Sequence, residues 1–195
     1  MDKALKLIGI GLLYVLAIFI VECAGFYHPF MWTYCAVFAA VLAAWPYYFL
    51  NKQYPMPGIA MLCVMLLLLF NFAINEWHEY FAIGCLVLGF IAEGLRKYIG
   101  KYRSRKGVIA SYAVMSLIPF TKSIVLWIDY ETAMELVINR MGDIYAAVMG
   151  RMLSKYMLLA MIILTLIFAV VTMWLLTINW HPRDRYQIGY DSEQD

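Results

Sequence analysis

Six apolar stretches, at about residues 4–23, 30–50, 57–75, 80–99, 107–128 and 155–178, run through this chain of 195 residues and limit what it can become. Each is close to the roughly 20 apolar residues that carry a helix across a bilayer core. Six such crossings use about 120 residues, which leaves ends and short loops but no room for a separate folded domain. Helix is expected for all six, because backbone groups facing lipid must find their hydrogen bonds within their own segment. The expected fold is all-α: a polytopic membrane domain of six transmembrane helices over 1–180, then a polar cytoplasmic tail at 181–195. Composition excludes a soluble enzyme, since 65% of the residues are hydrophobic and only 14% are charged, against about 25% charged in an ordinary soluble domain.

The net charge is +2, yet Arg96, Lys97, Lys101, Arg103, Arg105 and Lys106 fall within one short stretch. In the six-span topology this cluster shares a side with Lys3, Lys6, Lys52, Arg183 and Arg185, while the opposite turns at 24–29 and 76–79 contain no Lys or Arg. The positive-inside rule then places both termini in the cytoplasm, with the chain expected in the cytoplasmic (inner) membrane. Membrane lipid, through anionic head groups, is the expected partner of the cluster; nucleic acid is not. Cys23, Cys35, Cys63 and Cys85 lie in or beside apolar runs without metal-ligand spacing and are read as packing residues. No metal or cofactor is expected. The first apolar run lacks a small-residue cleavage site, so it is expected to be retained as a span.

Between the fifth and sixth stretches, Met134, Val137, Met141, Ile144, Val148 and Met152 recur at three- and four-residue spacing. The spacing predicts one amphipathic helix over about 129–154. Two placements are open for it: flat in the interfacial plane, or packed as a lid over the outer mouth of the bundle.

A helix rises about 1.5 Å per residue, so depth in the bilayer follows from counting. Glu22 comes about 27 Å along the first span, Asn71 and Asn75 about 21 and 27 Å along the third, and Lys122 about 22 Å along the fifth. All four converge on the outer third. Charge inside a bilayer is costly and by default marks a functional site with a partner, and Glu22 with Lys122 is the natural pair. Asn71 and Asn75, four residues apart, are expected to share a helix face. Tyr27, His28, Trp77, His78 and Glu79 in the outer turns, with Trp127, complete a candidate substrate-binding cup. Plainer readings stand beside it: solvated carboxylates at span ends, an aromatic belt at the interface, asparagines as helix–helix glue, and a Lys122 that snorkels outward. Pro119 is expected to kink the fifth span by removing the hydrogen bond to the Met115 carbonyl. Glu93 stands three and four residues before Arg96 and Lys97, an intrahelical ion-pair spacing, with contact to a cytoplasmic partner as the other reading.

The chain has no GxxxxGK[ST] phosphate cradle, no HExxH and no GxSxG, so neither nucleotide binding nor zinc or serine hydrolysis is indicated. No enzyme is expected.

Leu7-Ile8-Gly9-Ile10 followed by Leu13-Tyr14, the run from Leu86 to Glu93, the run from Ser111 to Leu117, and Gly142-Asp143-Ile144-Tyr145 resemble stretches of the Trep_Strep family, S-component-like membrane proteins of energy-coupling factor (ECF) transporters. The resemblance covers most of 5–175. It implies a non-enzymatic substrate-binding (S) subunit of an importer, one that captures a vitamin-like or other small-molecule micronutrient from outside. It also implies a transmembrane coupling protein and two cytoplasmic ATPases as partners, which accounts for the missing nucleotide site. S components often carry Ala-x-x-x-Ala on the first span as a coupling surface. Here Gly9 and Gly11 are the small residues, and Leu12 and Leu13 stand near where alanine is common. Partner contact is accordingly expected at Gly9 and Gly11, with Glu93 beside them on the cytoplasmic side. The alternatives are a stand-alone small channel or ion-coupled carrier and, further off, an intramembrane enzyme using His78 and Glu79.

Overall fold

The computed structural model describes residues 3–180, which are helical apart from short turns and include no strand. The expectation for the tail at 181–195 lies outside the described residues. Helix α1 (Lys3–Gly25) is unbroken, but the second apolar stretch consists of α2 (Pro29–Thr33), α3 (Cys35–Leu42) and α4 (Ala44–Gln53) rather than one helix. Pro46 accounts for the break at Ala43: it has no N–H to offer the Leu42 carbonyl, and its ring crowds that carbonyl. Helices α5 (Ile59–Ala73) and α6 (Glu79–Tyr98) are continuous. The fifth stretch divides into α7 (Arg105–Met115), α8 (Ile118–Ser123) and α9 (Val125–Ile128). Its first break falls where Pro119 removes the bond to the Met115 carbonyl, as expected. Between it and α12 (Lys155–Leu176) come α10 (Tyr130–Met141) and α11 (Asp143–Met152).

Among the described residues, α1 and α12 are the two helices long and apolar enough to cross a membrane, and α5 is a shorter apolar helix. Charges near the end of α6 and the breaks in the second and fifth stretches keep those segments below the same criterion. Much of the surface is nevertheless apolar. Leu13, Leu16 and Ile20 on α1, and Leu159, Ile163 and Ile167 on α12, are all about half exposed. Contiguous apolar surface on this scale marks a membrane or protein contact.

The helices close into a ring: α1 packs on α5, α5 on α6, α6 on α7 and α8, α7 on α12, α12 on α3 and α4, and these on α1. Tyr14, Tyr47, Tyr112, Cys63, Cys85 and Met115 fill its centre. The Tyr112 hydroxyl donates to the Ala40 carbonyl at 2.7 Å, and Tyr47 shares a short hydrogen bond with Ser111. These bonds satisfy buried hydroxyls and also tie α3 and α4 to α7.

One end of the ring, the basic end, carries Lys52 and the loop after α6. Arg96 belongs to the basic cluster in sequence but not on the surface, for its side chain has 0% exposure. Its guanidinium lies 5.3 Å from the centre of the Tyr102 ring, and Nη1 reaches the Glu93 oxygens at 3.4 and 3.5 Å. The same carboxylate accepts the backbone N–H groups of Gly58 at 2.8 Å and Ala60 at 3.0 Å. Glu93 therefore caps the start of α5 from α6 while neutralising a buried cation. Spacing anticipated the ion pair and missed the cap.

Candidate functional site

At the opposite end a charge pair crosses the mouth of the ring. Lys122 Nζ on α8 donates to Glu22 Oε2 on α1 at 2.8 Å, and both side chains are less than one-fifth exposed. Their helical segments stand three places apart in the ring, so the pair bridges opposite sides of the ring at this level. The Lys122 ammonium also lies 5.1 Å from the centre of the Phe81 ring on α6, where the negative face of the ring attracts it. Lys122 thus points inward and does not snorkel. Gly84 sets its position: a Cβ there would fall 2.6 Å from Thr121 Cγ2, so only glycine lets α8 approach α6 this closely. An isolated glycine inside a helical pattern was the available sequence signal.

Asn71 is buried, and its Nδ2 donates to the Leu67 carbonyl at 2.9 Å. Its Oδ1 has no partner. Helices α1 and α5 run in the same direction, with Gly11 beside Leu66 and Phe19 edge-on to Phe70 at 5.0 Å. Glu22 is three residues beyond that second contact and Asn71 one, so their levels differ by about 3 Å. A buried acceptor left open near the level of an ion pair is a group for water or a ligand to satisfy.

Asn75 departs from expectation. Helix α5 ends at Ala73, and Asn75 has a left-handed φ of 59°. Its N–H bonds the Phe72 carbonyl at 3.2 Å, and that of Glu76 bonds the Asn71 carbonyl at 2.9 Å. This is a Schellman stop, in which asparagine substitutes for glycine. Asn75 is exposed, and the two asparagines do not share a helix face.

The stretch expected as one amphipathic helix over 129–154 is two helices, α10 and α11, turned at Gly142. Its φ of +87° and ψ of 166° suit glycine alone. The pair packs over the mouth rather than lying free. Ala133, Val137, Ala146 and Met149 are buried with Leu126, against Trp32 and Trp127. The turn shifts the helical phase, so Ile144, expected on the apolar face, is 86% exposed. Two polar ties fasten this lid. The Tyr145 hydroxyl donates to the Gly25 carbonyl at the end of α1, and Arg140 pairs with Glu76 in the α5–α6 turn at 2.8 Å. Burial pushes the Tyr145 phenol up to about 12, so it stays a donor into alkaline pH.

The remaining sequence candidates stand around this centre. His28 Nδ1 accepts the Phe30 N–H at 3.1 Å and so caps α2. Tyr27 is 90% exposed. Trp77 meets Phe72 edge-on, with ring centres 6.0 Å apart. His78 precedes α6 and Glu79 lies in its first turn, where a negative charge suits the helix dipole. Trp127 packs on Phe120, and its Nε1 donates to the Ser154 carbonyl at 3.4 Å, in the floor beneath the lid. The structure therefore brings Glu22 and Lys122 together, holds Asn71 near their level, and leaves Tyr27, His28, Trp77, His78 and Glu79 in the rim turns. On α1, Gly9 faces open space, whereas a Cβ on Gly11 would lie 2.5 Å from Leu66 Cδ1. Gly11 is a packing contact with α5, and Gly9 sits on the exposed apolar face.

Compared with known proteins, the chain matches over residues 5–177 the model of a family described as a hypothetical bacterial integral membrane protein (Trep_Strep). No curated protein and no solved structure matches it.

Proposed function

The chain belongs to this Trep_Strep family of bacterial integral membrane proteins, and on that premise we propose that it is the substrate-binding S subunit of an ECF-type importer for a vitamin-like or other micronutrient. The Glu22–Lys122 pair carries the reading, because it joins opposite charges across the mouth, largely out of solvent, beneath a docked lid. Fold stability alone gives little reason to keep such a pair, since removing two charges from water costs about what their attraction returns. Ligand capture does give a reason. The ammonium offers itself to a carboxylate or phosphate, the Glu22 carboxylate to an amine, the open Asn71 Oδ1 to a donor, and Phe81 a flat apolar face. Entry requires the lid to lift, which breaks the Tyr145–Gly25 and Arg140–Glu76 contacts.

In this reading the six apolar stretches are six crossings, and the two interrupted ones count as spans because their breaks are packed within the ring. The basic end and both termini face the cytoplasm, and the lid faces outward. Coupling energy comes from two cytoplasmic ATPases through a transmembrane partner. That partner docks on the exposed face of α1, where Gly9 admits a close helix. Glu93 is engaged in capping α5, so the coupling surface centres on Gly9.

The test is affinity purification of the full chain, gently solubilised from its own host, with identification of what comes with it. The expected result is a membrane partner with two ATPases, lost in Gly9→Leu while the variant itself stays folded. If wild type and Gly9→Leu recover the same partners, the docking face is wrong. If wild type recovers none, the importer reading gives way to a channel or carrier, which ion flux in proteoliposomes then addresses.

A further inference from the structure

At the basic end, α4 and α12 part to leave a groove of about 540 Å³ that opens to the surface. Trp45, Phe49, Leu175 and Ile178 give it apolar walls, and Lys52 and Asn179 stand at one end. We infer that this groove holds an anionic phospholipid, one acyl chain lying along the Trp45–Phe49 side and the phosphate on Lys52. The inference rests on the chain being an integral membrane protein and on the basic end facing the cytoplasm, and it does not require the importer role.

Lys52 is held in place rather than free to wander. Its ammonium donates to the Tyr48 hydroxyl at 3.0 Å and lies 5.3 Å from the centre of the same ring. Tyr48 in turn meets Trp180 edge-on at 5.9 Å, and Trp180 Nε1 donates to the Arg103 carbonyl at 2.8 Å. An ammonium has three N–H donors. One is used, and no carboxylate among the described residues lies within ion-pair reach of Lys52. On the neighbouring side of α12, Arg105 is fixed over the Trp174 ring at 5.5 Å and donates to the Trp174 carbonyl and the Thr177 hydroxyl. The field at the mouth of the groove is therefore positive and oriented. From Lys52 to Trp45 is about 10 Å along the helix, which matches the upper part of an acyl chain descending from its phosphate. Basic pockets between spans on the cytoplasmic side select acidic head groups in this way.

The experiment is native mass spectrometry of the full chain in detergent, offered equimolar phosphatidylglycerol and phosphatidylcholine. Wild type is expected to retain the anionic phosphatidylglycerol about fivefold better, the preference that one lysine at a membrane surface confers. Lys52→Gln should lose that preference, Lys52→Arg and Lys6→Gln should keep it, and Trp45→Ala should lower retention of both lipids. Undiminished preference in a folded Lys52→Gln overturns the inference. So does displacement of the lipid by millimolar inorganic phosphate, or binding that appears only after residues 181–195 are removed.

Discussion

Replacing Glu93 by glutamine attacks the one acceptor that, among the described residues, the structure gives to a fully buried arginine. Arg96 has no exposed side-chain surface, its Nε and Nη2 find no partner, and its Nη1 leans on Glu93 at 3.4 Å. Breaking a buried pair by removing one partner costs about 3–5 kcal/mol, because the surviving charge is left uncompensated. Glutamine keeps a neutral acceptor, and the Tyr102 ring offsets part of the loss by about 2 kcal/mol at most, which argues for the low end. The same substitution weakens the cap on Gly58 and Ala60, for about 1 kcal/mol more. The expected total is about 4 kcal/mol, read by equilibrium unfolding in mixed micelles with tryptophan fluorescence. Adding Arg96→Met removes the stranded charge, so the double variant should recover at least half of the loss. A Glu93→Gln variant within 1 kcal/mol of wild type, as the ~1 kcal/mol ceiling for an exposed pair allows, would show that Arg96 is solvated and refute this reasoning.

Three further perturbations bear on the lid and the mouth. Tyr145→Phe removes the hydroxyl that holds α11 to the Gly25 carbonyl, worth about 1 kcal/mol; hydrogen exchange over 143–152 should quicken about fivefold while the ring helices keep their protection. Gly142→Ala forces a side chain into a conformation that costs about 1–3 kcal/mol, so the lid should lose protection even with Tyr145 present. Gly84→Val drives methyl groups into Thr121 and should lower stability by about 1–3 kcal/mol. Because it displaces α8, it should also weaken ligand retention, and a loss of stability with retention intact would separate Gly84 from the site.

The all-helical character was legible because lipid-facing backbone must find its hydrogen bonds within its own segment, and the boundaries at Gly25, Tyr98 and Leu176 fall within a few residues of those expected. The Glu22–Lys122 pair was legible as well, since depth along a helix is simple counting. Rotation about the helix axis is not. Counting placed Glu93 next to Arg96 but gave no hint that its carboxylate reaches the start of α5. It placed Asn75 one turn above Asn71, but the helix stops between them. The lid failed for a related reason: Gly142 sits inside a regular apolar pattern, and a turn there moves every later residue to a different face, which is why Met149 is buried and Ile144 is not. Pro46 carries the same signal for a break as Pro119, and only the one at Pro119 was read from the sequence.

The central claim is that the pair at the mouth holds a captured small molecule. The most direct measurement is the amount of metabolite extracted from protein purified out of its own host, compared between wild type and Lys122→Ala, with co-purifying subunits counted in the same samples. The account predicts a discrete metabolite near one per chain in wild type, its loss in Lys122→Ala, and unchanged recovery of the partners. Equal occupancy in the two proteins, or no metabolite in either, would contradict it.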